Sequence, residues 1–156
     1  MLHVSGRIGH IPKEHLDRLM AFGRPVTFES GARLFEEGRP ARNFWIVESG
    51  SVRLDMHVPG RHAAIVETLG SGELIGWSWL FPPYRWHLGA QAVGTVRAVE
   101  FDTGAVRAEC ERDCDFGRAL TLACAQVIAA RLQSSRLRLQ DLYGPHGSGD
   151  DRPAES

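Results

Sequence analysis

The residues best suited to binding a small molecule lie in one aromatic segment. Three tryptophans, one tyrosine, one phenylalanine and two prolines occupy the ten positions from Trp77 to Trp86. Indole rings offer large apolar faces on which a planar ligand can stack. Arg85 is the one full positive charge between 76 and 88, which makes it a candidate partner for a phosphate. Two plainer interpretations stay open: the aromatic side chains fill a core of their own, and Arg85 is a solvated loop residue.

Cysteines and histidines can form disulfides, metal sites or catalytic centres. The number and spacing of these residues in the chain favour none of the three. Cys110, Cys114 and Cys124 are odd in number and lie close together in one helical stretch. A disulfide scaffold is therefore not expected, and a zinc site would need a fourth ligand. No two histidines stand two positions apart, and the chain has neither a serine elbow nor a Walker loop. We expect free thiols, no metal and no enzymatic activity.

Length and charge set the frame for these residues. The chain has 156 residues, 17.3 kDa and a formal net charge of −1, so it forms about one domain and lacks a global basic field for nucleic acid. No apolar run approaches the roughly 20 residues of a membrane span. Residues 1–9 lack the apolar core of a signal peptide. A cytoplasmic location is expected.

The pattern of apolar residues divides the chain into four parts. Residues 1–25 hold a helix that starts near Pro12 and stops at Gly23. Residues 26–102 consist of short apolar runs between glycines, which favours a sandwich or barrel of strands. Residues 103–143 are helical again, and the tail 144–156 has the composition of a disordered segment. Within the strand region, one alternating set is expected to share a face: Val52, Leu54, Met56 and Val58.

The last helix, expected to begin at a cap on Asp113 or Asp115 and to run to about Leu142, has heptad-like apolar spacing. Its stripe consists of Phe116, Leu120, Ala123, Val127, Ala130 and Leu137, with Ser134 in the one polar position. One interpretation is an amphipathic helix that covers the strands. The other is a helix that also pairs with its twin in a homodimer.

Glycines and apolar pairs in the strand region carry a family resemblance. The ordered motifs are Phe28-x-x-Gly31-x-x-Leu34-Phe35-x-x-Gly38, Phe44-Trp45-Ile46-Val47-x-x-Gly50-x-Val52 and Leu69-Gly70-x-Gly72-Glu73-x-x-Gly76. Together they resemble the cyclic-nucleotide-binding domain of the catabolite activator family and of kinase regulatory subunits. The resemblance covers about residues 12–142. It implies a mainly β fold, a jelly-roll-like β-roll (double-stranded β-helix) of eight strands, with one helix before it and two after it, the last a long dimer helix.

The resemblance also implies a phosphate-binding cassette, and this chain alters it. The family's cassette has a glutamate for the ribose, then an arginine for the cyclic phosphate and a small hydroxyl residue. Counted from Gly76, Trp77 falls at the glutamate position, Trp86 at the arginine position and His87 at the hydroxyl position. Arg85 comes one residue early. Because each charge-assisted contact contributes about 1.5–3 kcal/mol, binding of cyclic AMP should be weak or absent.

A ligand in the altered cassette is expected against eight residues. Ser135 is included because Arg131-Leu132-Gln133-Ser134-Ser135-Arg136 is similar to the stretch of the family's dimer helix that offers hydroxyls to the purine, although a serine there also suits a register position. The candidate site is Gly76, Trp77, Ser78, Trp79, Arg85, Trp86, His87 and Ser135.

Two hypotheses follow for function. The first is a stand-alone regulatory sensor domain that binds a cyclic nucleotide or related ligand and signals through its C-terminal helices to a downstream protein, most simply as a homodimer. The second is a degenerate domain with an aromatic-plugged pocket that serves as an interaction and dimerisation module. A winged helix-turn-helix needs about 20 residues, and only 144–156 follow the last helix. We therefore expect no DNA binding by this chain and no membrane association.

Overall fold

A computed structural model describes residue 8, residues 11–60 and residues 62–143. In this part of the chain one helix precedes an antiparallel β-roll and two helices follow it, which confirms the predicted fold class. The elements are α1 Lys13–Ala21, β1 Gly23–Phe28, β2 Arg33–Phe35, β3 Asn43–Met56, β4 Ala64–Leu69, β5 Leu74–Ile75, a 3-10 turn Ser78–Leu80, β6 Gly89–Asp102, α2 Thr103–Arg112 and α3 Cys114–Tyr143. The predicted disorder of 144–156 lies outside the described residues.

Two long strands form the spine of the roll. β3 and β6 have 14 residues each and pair with one another along most of their length. The main sheet has the order β1-β6-β3-β4, while β2 pairs with β6 and β5 pairs with β3. Register shifts between Val47 and Ser51 interrupt the β3–β6 ladder and let both strands bend. The described residues form six strands, two of them long and bent, whereas the family resemblance implies eight.

The predicted alternation in β3 holds only in part. Val52 and Leu54 are buried, as expected, but Met56 is 41% exposed and Asp55 is buried. The ladder with β4 changes register between Leu54 and Asp55, and this irregularity shifts the phase of the side chains. Asp55 turns inward and accepts hydrogen bonds from the Arg33 guanidinium, with Nη2 and Oδ1 3.0 Å apart. Period-2 arguments fail at such a point because the sequence gives no sign of the shift.

The two C-terminal helices, α2 and α3, each begin at a capping aspartate. Asp102 accepts a hydrogen bond from the Ala105 N–H and caps α2. Asp113, one of the two residues predicted for the role, accepts from the N–H groups of Asp115 and Phe116 and caps α3. These bonds to the charged form lower the pKa of Asp113 below its ordinary value.

The N-terminal half of α3 packs on the roll through the predicted stripe. Phe116, Leu120, Ala123 and Val127 are all buried, whereas Leu137, further along the same stripe, is 52% exposed. The interpretation of α3 as an amphipathic cover therefore holds for its first half. Among the described residues no helix is long and apolar enough to cross a membrane.

Candidate functional site

The segment between β5 and β6 forms one wall of a small cavity on the roll. Gly76 begins this segment with a φ of +95°, a conformation that glycine adopts without strain. Its backbone also lies directly under the Trp86 indole, because a Cβ at position 76 would stand 2.5 Å from the ring. Glycine is thus required here both for the turn and for the close approach of Trp86.

The Trp86 indole is buried in the wall of this cavity. Its side chain is only 5% exposed. The indole stacks on Phe35 with ring centroids 3.9 Å apart, and Trp45 lies behind both rings at 6.3 Å from Trp86. Backbone hydrogen bonds from Trp86 N to Arg39 O and from Gly38 N to Trp86 O hold the residue in place. The indole is therefore anchored by its backbone as well as by its ring.

The space that remains is too small for a nucleotide. The cavity has a volume of about 40 Å³, and it is lined by Phe35, Leu54, Gly76, Trp77, Ser78, Trp86, His87, Leu88 and Arg131. Pockets for small ligands typically have volumes of about 300–1,000 Å³. A few ordered water molecules fit such a space.

A buried arginine from α3 forms the far wall of the cavity. The Arg131 side chain is nine-tenths buried, and its Nη2 donates a hydrogen bond to the Leu74 carbonyl in β5. Its Nε has no hydrogen-bond partner among the described residues. Burial lowers the pKa of Arg131, while the carboxylates of Glu67 and Glu73 oppose that shift. The sequence reasoning did not single out Arg131, although it begins the motif that drew attention to Ser135.

The carboxylates near Arg131 have structural partners of their own. Glu73 is buried and accepts a hydrogen bond from the Gly70 N–H. Burial raises the pKa of Glu67, and the nearby guanidinium groups of Arg131 and Arg138 oppose that increase. The guanidinium of Arg131 therefore keeps some electrostatic compensation in the absence of any ligand.

Five of the eight predicted site residues line this cavity. They are Gly76, Trp77, Ser78, Trp86 and His87. Trp77 and His87 stack with ring centroids 5.7 Å apart. The Ser78 hydroxyl lies 3.2 Å from Nδ1 of His87, within hydrogen-bond distance. The polar groups of Ser78 and His87 therefore contact each other within the wall of the cavity.

The other three predicted residues lie elsewhere. The Trp79 ring is fully buried in the core, stacked on Phe44 at 4.8 Å. Arg85 is exposed and donates a hydrogen bond to the Gly38 carbonyl at 2.9 Å. Ser135 is half-buried on α3 and does not line the cavity. The positive charge that faces the cavity thus comes from Arg131 on α3 and not from Arg85 in the cassette.

The cassette is also attached to α2. Arg107 donates a hydrogen bond to the Trp79 carbonyl, and its guanidinium lies 4.5 Å from the centre of the Tyr84 ring. Tyr84 has a positive φ of 57°, which is uncommon for a residue with a side chain. Both C-terminal helices therefore contact the segment around the cavity, α2 through Arg107 and α3 through Arg131.

Comparison with known proteins identifies the family to which the chain belongs. The model of the cyclic nucleotide-binding domain matches residues 25–113. This chain belongs to the cyclic nucleotide-binding domain family. The family that the glycine motifs predicted is thereby confirmed.

Similar proteins include a transcriptional regulator and a cyclic nucleotide-binding protein. A CRP-like cAMP-activated global transcriptional regulator of Mycobacterium tuberculosis is 28% identical over 119 residues, which are 76% of this chain and 51% of the relative. The domain thus spans about half the length of the curated relatives it matches. A crystal structure from Geobacter metallireducens, described as a cyclic nucleotide-binding protein, is 25% identical with a TM-score of 0.70 and covers 81% of this chain and 92% of its own.

A third comparison concerns the fold alone. The catabolite activator protein of Thermus thermophilus has a TM-score of 0.70 at 23% identity and covers 86% of this chain and 62% of its own. In the described ranges, no group of three potential metal-ligating side chains occurs.

Proposed function

We propose that this chain is a regulatory domain whose nucleotide site is occupied by its own Trp86 and which acts by associating with a second copy and with a partner protein. The filled cavity carries the proposal. A bound nucleotide would have to expel a side chain that is 5% exposed and stacked on Phe35. Burying an aromatic side chain stabilises a protein by several kcal/mol, and that amount is subtracted from the binding energy of any ligand.

The absence of the family's charged ligand contacts also weakens nucleotide binding. The positions that hold the ribose and the phosphate in the family carry Trp77 and Trp86. Arg85, the nearest cassette charge, is exposed and bonded to the Gly38 carbonyl. Ordinary recognition of cyclic AMP would therefore lack two charge-assisted contacts, each worth about 1.5–3 kcal/mol, in addition to the cost of opening the site.

The exposed face of α3 supports association with a second copy. Leu122, Leu132 and Leu139 are more than half exposed, and with Ala125 and Ala129 they form a stripe at spacings of three, four, three and seven residues. We call this set the outer stripe. It lies on a different face from the stripe that packs on the roll. Large apolar side chains in a continuous exposed row typically mark an interaction surface.

A second candidate function, a ligand sensor with a tryptophan gate, is favoured by Arg131. A buried guanidinium with an unpartnered Nε is costly, and an anion in the cavity would compensate it. In this case Trp86 would leave the cavity when a cyclic nucleotide or related anionic ligand enters. The displacement of Trp86 would then shift α2 and α3 through their contacts at Arg107 and Arg131.

A thermal-shift screen with cyclic mono- and dinucleotides separates the two candidates. Each ligand is added to the wild type and to Trp86→Ala, with Trp77→Ala as the control that changes an aromatic residue in the same wall. If the site is self-occupied, the wild type shows no shift at millimolar ligand. A saturable shift for the wild type, accompanied by a change in tryptophan fluorescence, would favour the gated sensor instead.

Association through the outer stripe is tested by a matched pair of variants. Leu132 and Leu137 are 51% and 52% exposed, but only Leu132 belongs to the outer stripe. Sedimentation should give twice the 17.3 kDa chain mass for the wild type and for Leu137→Glu. Leu132→Glu should sediment as a monomer. A wild type that is monomeric at all concentrations, or a dimer that tolerates Leu132→Glu, would contradict the proposed face.

A further inference from the structure

A second, larger cleft lies far from the cassette, between α1 and the beginning of α3. Its volume is about 660 Å³. α1 contributes one wall through Glu14 and Arg18, and α3 contributes the other through Asp115, Arg118 and Leu122. Neither the nucleotide site nor the contacts of the roll account for this cleft.

Some charged side chains of the cleft form ion pairs, and others do not. The Arg18 guanidinium is committed, because it forms ion pairs with Glu109 and Asp113. Asp115 and Arg118 are exposed, and in the part of the chain that the structure describes neither forms an ion pair. Glu14, also exposed, has only a 3.6 Å contact with Nε2 of His15. The cleft therefore presents an acidic rim, formed by Glu14 and Asp115, next to an unpaired arginine.

The position of Arg118 connects the cleft with the outer stripe. On a helix, residues four apart lie on one face, so Arg118 continues the row of Leu122, Ala125, Ala129 and Leu132 toward the start of α3. Leu122, at 56% exposure, borders the cleft and also belongs to the outer stripe. A second copy that packs its outer stripe on this one, with the two α3 helices parallel about a two-fold axis, would bring its own Arg118 beside the cleft.

We propose that the acidic rim of the cleft receives Arg118 of a second copy, so that two reciprocal ion pairs set the register of the dimer. This inference rests on the proposed association through the outer stripe. A two-fold interface requires one patch that carries both complementary groups, and Arg118 and the acidic rim lie on one patch. Without such contacts, two Arg118 side chains on paired helices would repel each other, since like charges on facing positions destabilise an interface.

Charge reversal tests the pairing. Arg118→Glu should weaken dimerisation roughly tenfold or more, and Glu14→Lys with Asp115→Lys should weaken it to a similar extent. Mixing these two variants should restore tight association, because the reversed groups complement each other across the interface. Native mass spectrometry of an equimolar mixture should then show more heterodimer than random pairing of the two variants would give. Arg97→Glu, an exposed charge reversal on β6, is the control and should leave dimerisation unchanged.

The outcomes distinguish this inference from the proposal on which it rests. If the wild type is a dimer and Arg118→Glu dimerises as tightly as Arg97→Glu, the cleft contact is refuted while association through the outer stripe stands. A mixture that forms no excess of heterodimer, although each variant alone is weakened, also refutes the specific pairing. A wild type that stays monomeric overturns both proposals. Circular dichroism of each variant shows whether the fold is retained.

Discussion

Replacing Trp86 by alanine should destabilise the domain by about 3–5 kcal/mol. The structure supports a value in the upper part of this range. The indole is 5% exposed, and an aromatic side chain of this kind buries about 200 Å², which at roughly 25 cal/mol per Å² corresponds to about 5 kcal/mol. The alanine Cβ recovers part of this area, whereas the stacked contact with Phe35 at 3.9 Å is lost entirely.

The assay for this prediction is urea unfolding followed by circular dichroism, since tryptophan fluorescence itself changes in the variant. A domain of this size has a free energy of unfolding of about 5–15 kcal/mol, so the variant should still fold at low temperature. Trp86→Leu keeps an apolar side chain of smaller size and should lose less. The matched control is Trp77→Ala, because Trp77 is only half-buried and packs at the edge of the same cavity.

A loss below about 1 kcal/mol for Trp86→Ala, within the range of surface substitutions, would refute the reasoning. It would mean that the indole does not occupy the cavity in solution and that the site stands open. A loss for Trp77→Ala equal to that for Trp86→Ala would contradict the special role of Trp86. The expected order of stability is wild type, Trp77→Ala, Trp86→Leu and Trp86→Ala.

Three further predictions concern ligand, charge and thiols. Calorimetry with cyclic AMP should detect no sub-micromolar binding to the wild type, and a tight complex would show that other donors replace the missing anchors. In urea unfolding, Arg131→Ala should cost about 1.5–3 kcal/mol through the lost bond to a buried carbonyl, whereas Arg85→Ala should change stability by less than about 0.5 kcal/mol; equal effects would contradict the placement of these charges. In labelling by a maleimide read by mass spectrometry, exposed Cys114 should react first. Cys124 should react only on unfolding, since burial raises the pKa of its thiol to about 12, and early labelling of Cys124 would contradict its burial.

Turns, caps and periodic stripes of this domain could be predicted from the sequence. The glycines that punctuate residues 26–102, the cap at Asp113 and the stripe from Phe116 to Val127 depend on backbone conformation and on neighbours within one or two turns. Such features are local, so the residues that produce them are adjacent in the sequence. The family followed from the same ordered glycines.

The contents of the cavity beside Gly76 were decided by the tertiary structure. Trp86 fills the cavity because Phe35 and the backbone of Gly76 lie against it, and these residues are separated by 51 and 10 positions. Arg131 supplies the charge from a helix that begins 38 residues after Gly76. The aromatic segment alone was compatible with a stacking site and with a plug, since an indole has the same apolar face in both.

For α3 as well, the sequence predicted the helix, and the tertiary structure decided which of its faces is buried. The heptad spacing of its sequence indicates one apolar row without saying whether that row covers the roll or also pairs with a second copy. Packing into the core beside α1 and α2 buried the row of Phe116 and Val127 and left the row of Leu122 and Leu132 exposed. The sequence by itself thus determined where the strands, turns and helices lie and to which family they belong. Which side chains meet in space, and hence whether a pocket is open or filled, depends on contacts between distant residues that only the folded chain brings together.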